Sequence, residues 1–191
     1  IMDRMVESYR KIRNTSRYLL GSISDFNPDN DSVPFEKMME LDQFILLKWQ
    51  DALKRIYTGY EEYHFHLFYH NFLNFCINDL SALYLDVIKD RIYSYAPTSH
   101  QRRSAQTAMF QLVKEMAVVM APVLSFTADE IWDYIPDFKA KCEFVFEEVF
   151  PPADRYKESD LVEKFEKLLN VRRAANKALE LSRASKVIGH P

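Results

Sequence analysis

Glycine is rare in this chain, and that rarity limits its fold more than any other feature of the sequence. The 191 residues include only Gly21, Gly59 and Gly189. A dinucleotide-binding fingerprint or a phosphate-binding P-loop needs two or three glycines close together, because the backbone must approach the phosphates. Both motifs are therefore excluded. Long segments without glycine or proline favour helices, so the sequence predicts an all-α chain.

Apolar residues recur at helical spacing in every long segment. Helices are predicted over about 3–20, 34–60, 63–93 and 99–120, followed by a short helix that opens at Thr127 and a last one from Ser159 to about 182. Gly21 is expected to cap the first helix, and Thr127 with Glu130 has the spacing of a capping box. Segment 143–150 is the only plausible strand.

Long helices with short connections predict an antiparallel helix bundle. The Pro151-Pro152 pair breaks the chain after the fifth helix. We therefore expect a bundle domain over 1–150, and a connector with an appended C-terminal helix over 151–191. Because the chain begins and ends within helix-like or linker sequence, we also expect a piece of a longer protein.

Charge is distributed unevenly, although the net charge is only −3. Segments 1–20 and 159–186 are basic, whereas 24–42 is acidic.

Hydrophobic residues make up 48% of the chain, without a run long enough to cross a bilayer. Cys76 and Cys142 form no C-x-x-C pair, which fits a reducing compartment. We expect a globular, cytoplasmic monomer that makes no membrane contact.

No catalytic or metal-binding constellation is recognisable. Cys76 lies among apolar residues and is expected in the core. His66 and His70 are one helical turn apart with His64 nearby, but the glutamate of a zinc-protease motif is missing. The segment that ends at His190 resembles half of a synthetase nucleotide motif, and we interpret it as a coincidence. We predict no catalytic residues and no metal site.

The first helix carries a polar arc that differs from the rest of the chain. Arg10, Arg13, Asn14 and Arg17 fall within roughly 100° of the helix surface. They lie away from an apolar stripe that is predicted to be buried: Met2, Met5, Val6, Tyr9, Ile12, Leu19 and Leu20. Arginine suits phosphates and base faces, and asparagine can bond a base edge. The arc is either an RNA-facing surface, a solvated helix face or a set of contacts within the bundle, such as Arg13 with Asp79.

Several segments resemble the anticodon-binding helical domain of the isoleucyl-tRNA synthetases, a class I aminoacyl-tRNA synthetase family. They are Y-R-K-I-R-N-T (9–15) with L-L-G (19–21), then 74–81, 84–91, 102–108, A-P-V-L-S-F-T-A-D-E-I-W (121–132) and K-V-I-G (186–189). Together they cover nearly the whole chain. The 121–132 block is shared with valyl and other relatives, whereas 75–91 favours the isoleucyl member.

The resemblance implies a role in protein biosynthesis. The domain would bind the anticodon arm of tRNA(Ile) and position it for ATP-dependent aminoacylation by an upstream catalytic domain. It further implies RNA-binding roles for Arg10, Arg13, Asn14 and Arg17. ATP-Mg would act in the catalytic domain, and zinc in a C-terminal region beyond Pro191. The alternatives are a helical protein–protein interaction module and the equivalent domain of a valyl-type relative.

Overall fold

The computed structural model describes residues 2–157 and 160–189, and within them it contains helices and turns but no strand. The all-α prediction is therefore confirmed. The chain divides after Tyr156 into two compact units. The helices are α1 Met2–Ser22, α2 Pro28–Asp31, α3 Glu40–Glu61, α4 Phe65–Asn74, α5 Leu85–Val87, α6 Lys89–Ser94, α7 His100–Met120, α8 Ser125–Tyr134 and α9 Asp160–Ala184.

The core of the first unit surrounds α7, which packs against α1, α3, α6 and α8. Most of α7 is buried, from Ser104 to Met120 with few exceptions. Large aromatic side chains fill the space beside it: Trp49, Phe72, Phe75, Tyr84 and Trp132 are all almost inaccessible to solvent. Trp49 meets the Phe72 ring edge-on, with their centres 5.9 Å apart.

The predicted third helix, 63–93, is helical but not one regular α-helix. Between α4 and α5 the chain forms a π-helical stretch, Phe75–Tyr84. There the Ser81 hydroxyl donates to the Cys76 carbonyl five residues back, at 2.8 Å. Apolar spacing predicted the helix but did not distinguish these wider turns from α-helical ones.

Gly59 marks the close approach of α3 and α4. A Cβ atom placed on it would lie 2.9 Å from the Leu67 Cβ and 3.2 Å from the His64 carbonyl oxygen, closer than ordinary packing allows. The chain reverses just after it, where Tyr63 takes a positive φ of 57°. The break predicted around Gly59 is thus found a few residues later.

Three local predictions are wrong. Gly21 does not cap α1, which continues to Ser22, and no described glycine has a positive φ. Helix α8 begins at Ser125, so Thr127 is a buried residue inside it and not an N-cap. Segment 143–150 contains a single 3₁₀ turn, Val145–Glu147, instead of a strand. The predicted helix start, Ser159, lies outside the described residues.

Residues after the Pro151-Pro152 pair continue to pack on the first unit. The Tyr57 hydroxyl donates to the Pro151 carbonyl at 2.5 Å. The Gln50 side chain bonds both the backbone N–H and the carbonyl of Tyr156, at 2.7 and 2.9 Å. The functional division between 1–150 and 151–191 stays a prediction. In the structure, the proline pair does not end the packed unit.

Candidate nucleic-acid interface

Helix α1 presents one buried and one exposed side. Its buried residues are Ser8, Ile12, Thr15, Ser16, Leu19 and Ser22. The predicted arc of Arg10, Arg13, Asn14 and Arg17 is exposed along its whole length. The sequence therefore identified the polar side of this helix correctly.

The apolar stripe is buried only in the second half of α1. Met2, Met5, Val6 and Tyr9 are exposed, although the spacing predicted them to be buried. The contacts of these turns are polar: Ser8 shares a 2.8 Å hydrogen bond with the Tyr69 hydroxyl, and the Tyr9 hydroxyl lies 3.1 Å from that of Thr127. The first turns of α1 thus leave an apolar surface uncovered by the described residues.

Arg13 is bound to the neighbouring helix α8. Its two terminal nitrogens donate to both carboxylate oxygens of Glu130, at 2.6 and 2.9 Å. This hydrogen bonding lowers the pKa of Glu130 and, with a smaller contribution from Tyr9, raises that of Arg13. Both side chains are about half exposed. Of the alternatives left open by the sequence, a bundle contact applies to Arg13, but its acid is Glu130 and not Asp79.

Among the described residues, Arg10 pairs only within its own helix. Its guanidinium lies 2.9 Å from the Glu7 carboxylate, three residues earlier, and both groups are largely exposed. Exposed pairs of this kind contribute little to stability, because water screens them and both side chains must be ordered. Arg10 can therefore exchange Glu7 for another anion at little cost.

Asn14 and Arg17 are the unengaged members of the arc. Neither side chain has a hydrogen bond or ion pair within residues 2–157 and 160–189. Both line a cleft of about 630 Å³ between α1, α6 and α7, together with Tyr18, Tyr93 and Arg102. Arg17 also lines a second cleft, of about 640 Å³, on the α8 side.

Besides Arg17, the cleft between α1, α6 and α7 is lined by two charged side chains, Asp25 and Arg102, which pair with each other. Arg102 binds the Asp25 carboxylate at 2.8 Å and donates to the Ile92 carbonyl. Burial alone would raise the pKa of Asp25, but hydrogen bonds from Gln106 and Arg102 outweigh it and lower that pKa. Lys89 pairs with Asp86 at 2.8 Å. Tyr93 and Arg102 could not be identified as site residues from sequence, because their positions beside α1 depend on how distant segments fold together.

Other candidate chemistry finds no site among the described residues. His64 lies 3.2 Å from Glu62. Its ring centre is 5.7 Å from that of His66, which in turn is 6.5 Å from that of His70. Nowhere in the described ranges do three His, Cys, Asp or Glu side chains come together as metal ligands would. Burial raises the pKa of the Cys76 thiol, as expected for a core cysteine. His190 lies outside the described residues.

Comparison with known proteins gives the family. The family described as "Anticodon-binding domain of tRNA ligase" matches residues 42–190, more than three quarters of the chain. The chain belongs to this family. The match begins in α3, so α1 and its polar arc lie outside the part that defines the family.

Full-length relatives extend the match over α1. Isoleucine–tRNA ligases of Sulfurihydrogenibium sp. (strain YO3AOP1), Syntrophotalea carbinolica and Geobacter sulfurreducens are 43%, 44% and 44% identical, each across the entire chain. The chain covers 20–21% of each of these proteins. It thus spans about a fifth of the length of the relatives that it matches. None of the described helices is long and apolar enough to span a membrane.

Proposed function

We propose that this anticodon-binding domain binds the anticodon arm of tRNA(Ile) as part of an isoleucine–tRNA ligase. The exposed side of α1 is the surface that meets the RNA. The observation that carries the proposal is that Asn14 and Arg17 have no partner among the described residues and line the same cleft. The full-length relatives of the chain are isoleucine–tRNA ligases. All of the relatives named above are isoleucine enzymes, which favours tRNA(Ile) over the valyl-type alternative.

The four arc residues contribute unequally to RNA binding, according to the contacts that each already makes in the structure. Arg17 and Asn14 are free to bind without breaking anything, so they contribute most. Arg10 binds phosphate after releasing Glu7. Arg13 has to give up two hydrogen bonds to Glu130, and it contributes least. Phosphate contacts provide affinity and register, whereas base contacts of Asn14 provide specificity.

The domain acts by positioning and not by bond chemistry. Binding energy from a remote part of a substrate can orient its reacting end at a distant site. The ATP-Mg chemistry, and any zinc, belong in this proposal to other parts of the ligase. The described residues do not fit either group, because they offer no glycine-rich phosphate loop and no cluster of three metal ligands.

A contact with the catalytic part of the same ligase also belongs to the proposal. Met5 and Val6 on α1 are exposed, and Phe126 at the start of α8 is 94% exposed. The two helices meet here, because the Tyr9 and Thr127 hydroxyls are hydrogen-bonded at 3.1 Å. Contiguous exposed apolar patches mark protein contacts, and we propose that these side chains contribute to one. We place the ligase in the cytoplasm as a monomer.

Binding of tRNA(Ile) by the chain, followed by fluorescence anisotropy, tests the proposed function. An unrelated RNA hairpin of the same length is the control. The expected result is preferential, salt-sensitive binding of tRNA(Ile), since each neutralised phosphate steepens the dependence of affinity on salt. Equal binding of both RNAs, or binding of neither, would contradict the proposal and leave the protein–protein module as the better account.

A further inference from the structure

The cleft between α1, α6 and α7 has the composition of a site for one unstacked base. Its volume of about 630 Å³ lies within the range of small-molecule sites. Three of its walls differ in chemistry: the aromatic ring of Tyr93, the free amide of Asn14 and the free guanidinium of Arg17. A single-stranded nucleotide presents a matching set, namely a flat base face, a base edge and a phosphate.

Tyr93 reaches Tyr18 with its hydroxyl and is otherwise largely exposed. Its hydroxyl donates to the Tyr18 hydroxyl at 3.4 Å. Its side chain nevertheless stays 69% exposed. No other aromatic ring stacks on Tyr93 within the described part of the chain. A largely exposed aromatic ring can stack on a base without first breaking a contact with another ring of the protein.

The opposite wall of the cleft is rigid. Arg102 is mostly buried, and it is fixed by Asp25 and by the Ile92 carbonyl. Tyr18 is partly buried on the α1 side, and desolvation together with the Tyr93 hydrogen bond raises its pKa to about 12. Tyr18 is therefore neutral at physiological pH. Two carboxylates lie near this wall, and both are paired: Asp25 with Arg102, and Asp86, which acts on the pKa of Tyr18, with Lys89.

We propose that this cleft takes one unstacked base of the anticodon loop, with Tyr93 as its stacking platform. Asn14 bonds the edge of the same base, and Arg17 binds an adjacent phosphate. This inference rests on the proposed function and adds to it a specific place for one nucleotide. Stacking of a base on an aromatic side chain is tolerant of sequence, whereas the amide of Asn14 selects among base edges.

Base fluorescence tests the inference. The probe is an anticodon stem-loop RNA of tRNA(Ile) that carries 2-aminopurine at one loop position at a time. The proteins are the wild-type chain, Tyr93→Phe, Tyr93→Leu and Tyr93→Ala, with folding checked by circular dichroism. Tyr63→Ala is the matched control, because Tyr63 is also exposed but lies in the α3–α4 turn, outside this cleft.

The expected result is strong quenching at one loop position with the wild-type chain and Tyr93→Phe. Tyr93→Leu and Tyr93→Ala should lose that quenching and bind the RNA roughly tenfold more weakly, while Tyr63→Ala behaves as wild type. If the wild-type chain binds but the Leu variant retains quenching and affinity, the cleft assignment is wrong while the proposed function stands. If the wild-type chain does not bind the stem-loop, both are overturned.

Discussion

Two arginine–carboxylate pairs of the same geometry occupy different surroundings in this domain. Arg91 binds both oxygens of Asp42 at 2.9 Å, and the two side chains are 13% and 0% exposed. Arg13 binds both oxygens of Glu130 at similar distances, but both side chains are nearly half exposed. The first pair holds the bundle together, whereas the second lies on the surface that we assign to RNA.

The buried pair belongs to a closed polar network. Asp42 on α3 also accepts hydrogen bonds from the Tyr84 hydroxyl at 2.8 Å and the Ser104 hydroxyl at 2.5 Å. These contacts join α3 to the π-helical stretch, α6 and α7. The exposed pair joins only α1 and α8. Equal geometry therefore does not mean equal function, because the surroundings decide whether an arginine is available to another anion.

The largest expected effect comes from breaking the buried pair. Asp42→Ala leaves the guanidinium of Arg91 and two hydroxyls without their acceptor, so we expect a loss of about 3–5 kcal/mol in the free energy of unfolding. Urea denaturation measures it. Asp51→Ala is the control, since Asp51 makes one distant pair with Lys54 at 3.8 Å and should cost little. Equal losses in both variants would refute the contrast between buried and exposed acids.

A second buried acid predicts a pH dependence. Burial raises the pKa of Glu115 despite its ion pair with Arg155 and its hydrogen bonds from Gln111 and Trp49. The Glu115 carboxyl therefore keeps its proton to a higher pH in the folded state than in the unfolded state. As a result, the free energy of unfolding falls as pH rises from about 4.3 through the raised pKa.

Glu115→Gln should remove that decline, because glutamine does not titrate in this range. Urea denaturation of both proteins at a series of pH values from weakly acidic to neutral makes the comparison. The effect is expected to be smaller than that of Asp42→Ala. Parallel stability curves for the two proteins would show that Glu115 is not the group responsible.

Removing the acid of the exposed pair should strengthen RNA binding and leave stability almost unchanged. Glu130→Ala removes an acid from the surface of α8 and frees Arg13, so we expect severalfold tighter binding of tRNA(Ile). The urea midpoint should stay close to that of the wild type, because half-exposed pairs add little to stability. Weaker binding together with a lower midpoint would mean that the Arg13–Glu130 pair is part of the fold and not of the RNA surface.

The same contrast explains how much could be predicted from sequence. Helical spacing located the long helices of the first unit because α1, α3 and α7 each bury residues at that spacing. Local motifs located the resemblance. Asp42, Arg91 and Ser104 are distant in sequence, and nothing in their local pattern shows that they meet. Thr127 and Glu130 fit a capping box by spacing, yet they bond Tyr9 and Arg13 of another helix.

For the arc on α1, the sequence predicts which residues are exposed but not which of them are paired. Its exposure follows from helix geometry alone and is confirmed. Which of its members are already paired depends on the neighbours that the fold brings to them: Glu130 for Arg13, and no described residue for Arg17. Tyr93 could not be recognised as a candidate from sequence, because the fold brings it beside Tyr18 of α1.

The most direct test of the account is the affinity of the chain for tRNA(Ile) when the unpartnered side chains of α1 are removed. The double variant Asn14→Ala with Arg17→Ala is compared with Arg55→Ala, which removes an exposed arginine from α3. We predict at least tenfold weaker binding for the double variant, a salt dependence shallower by about 0.7–0.9 in slope for the lost phosphate contact, and no change for Arg55→Ala. Unchanged affinity and slope in a folded double variant would contradict the assignment of α1 to the RNA.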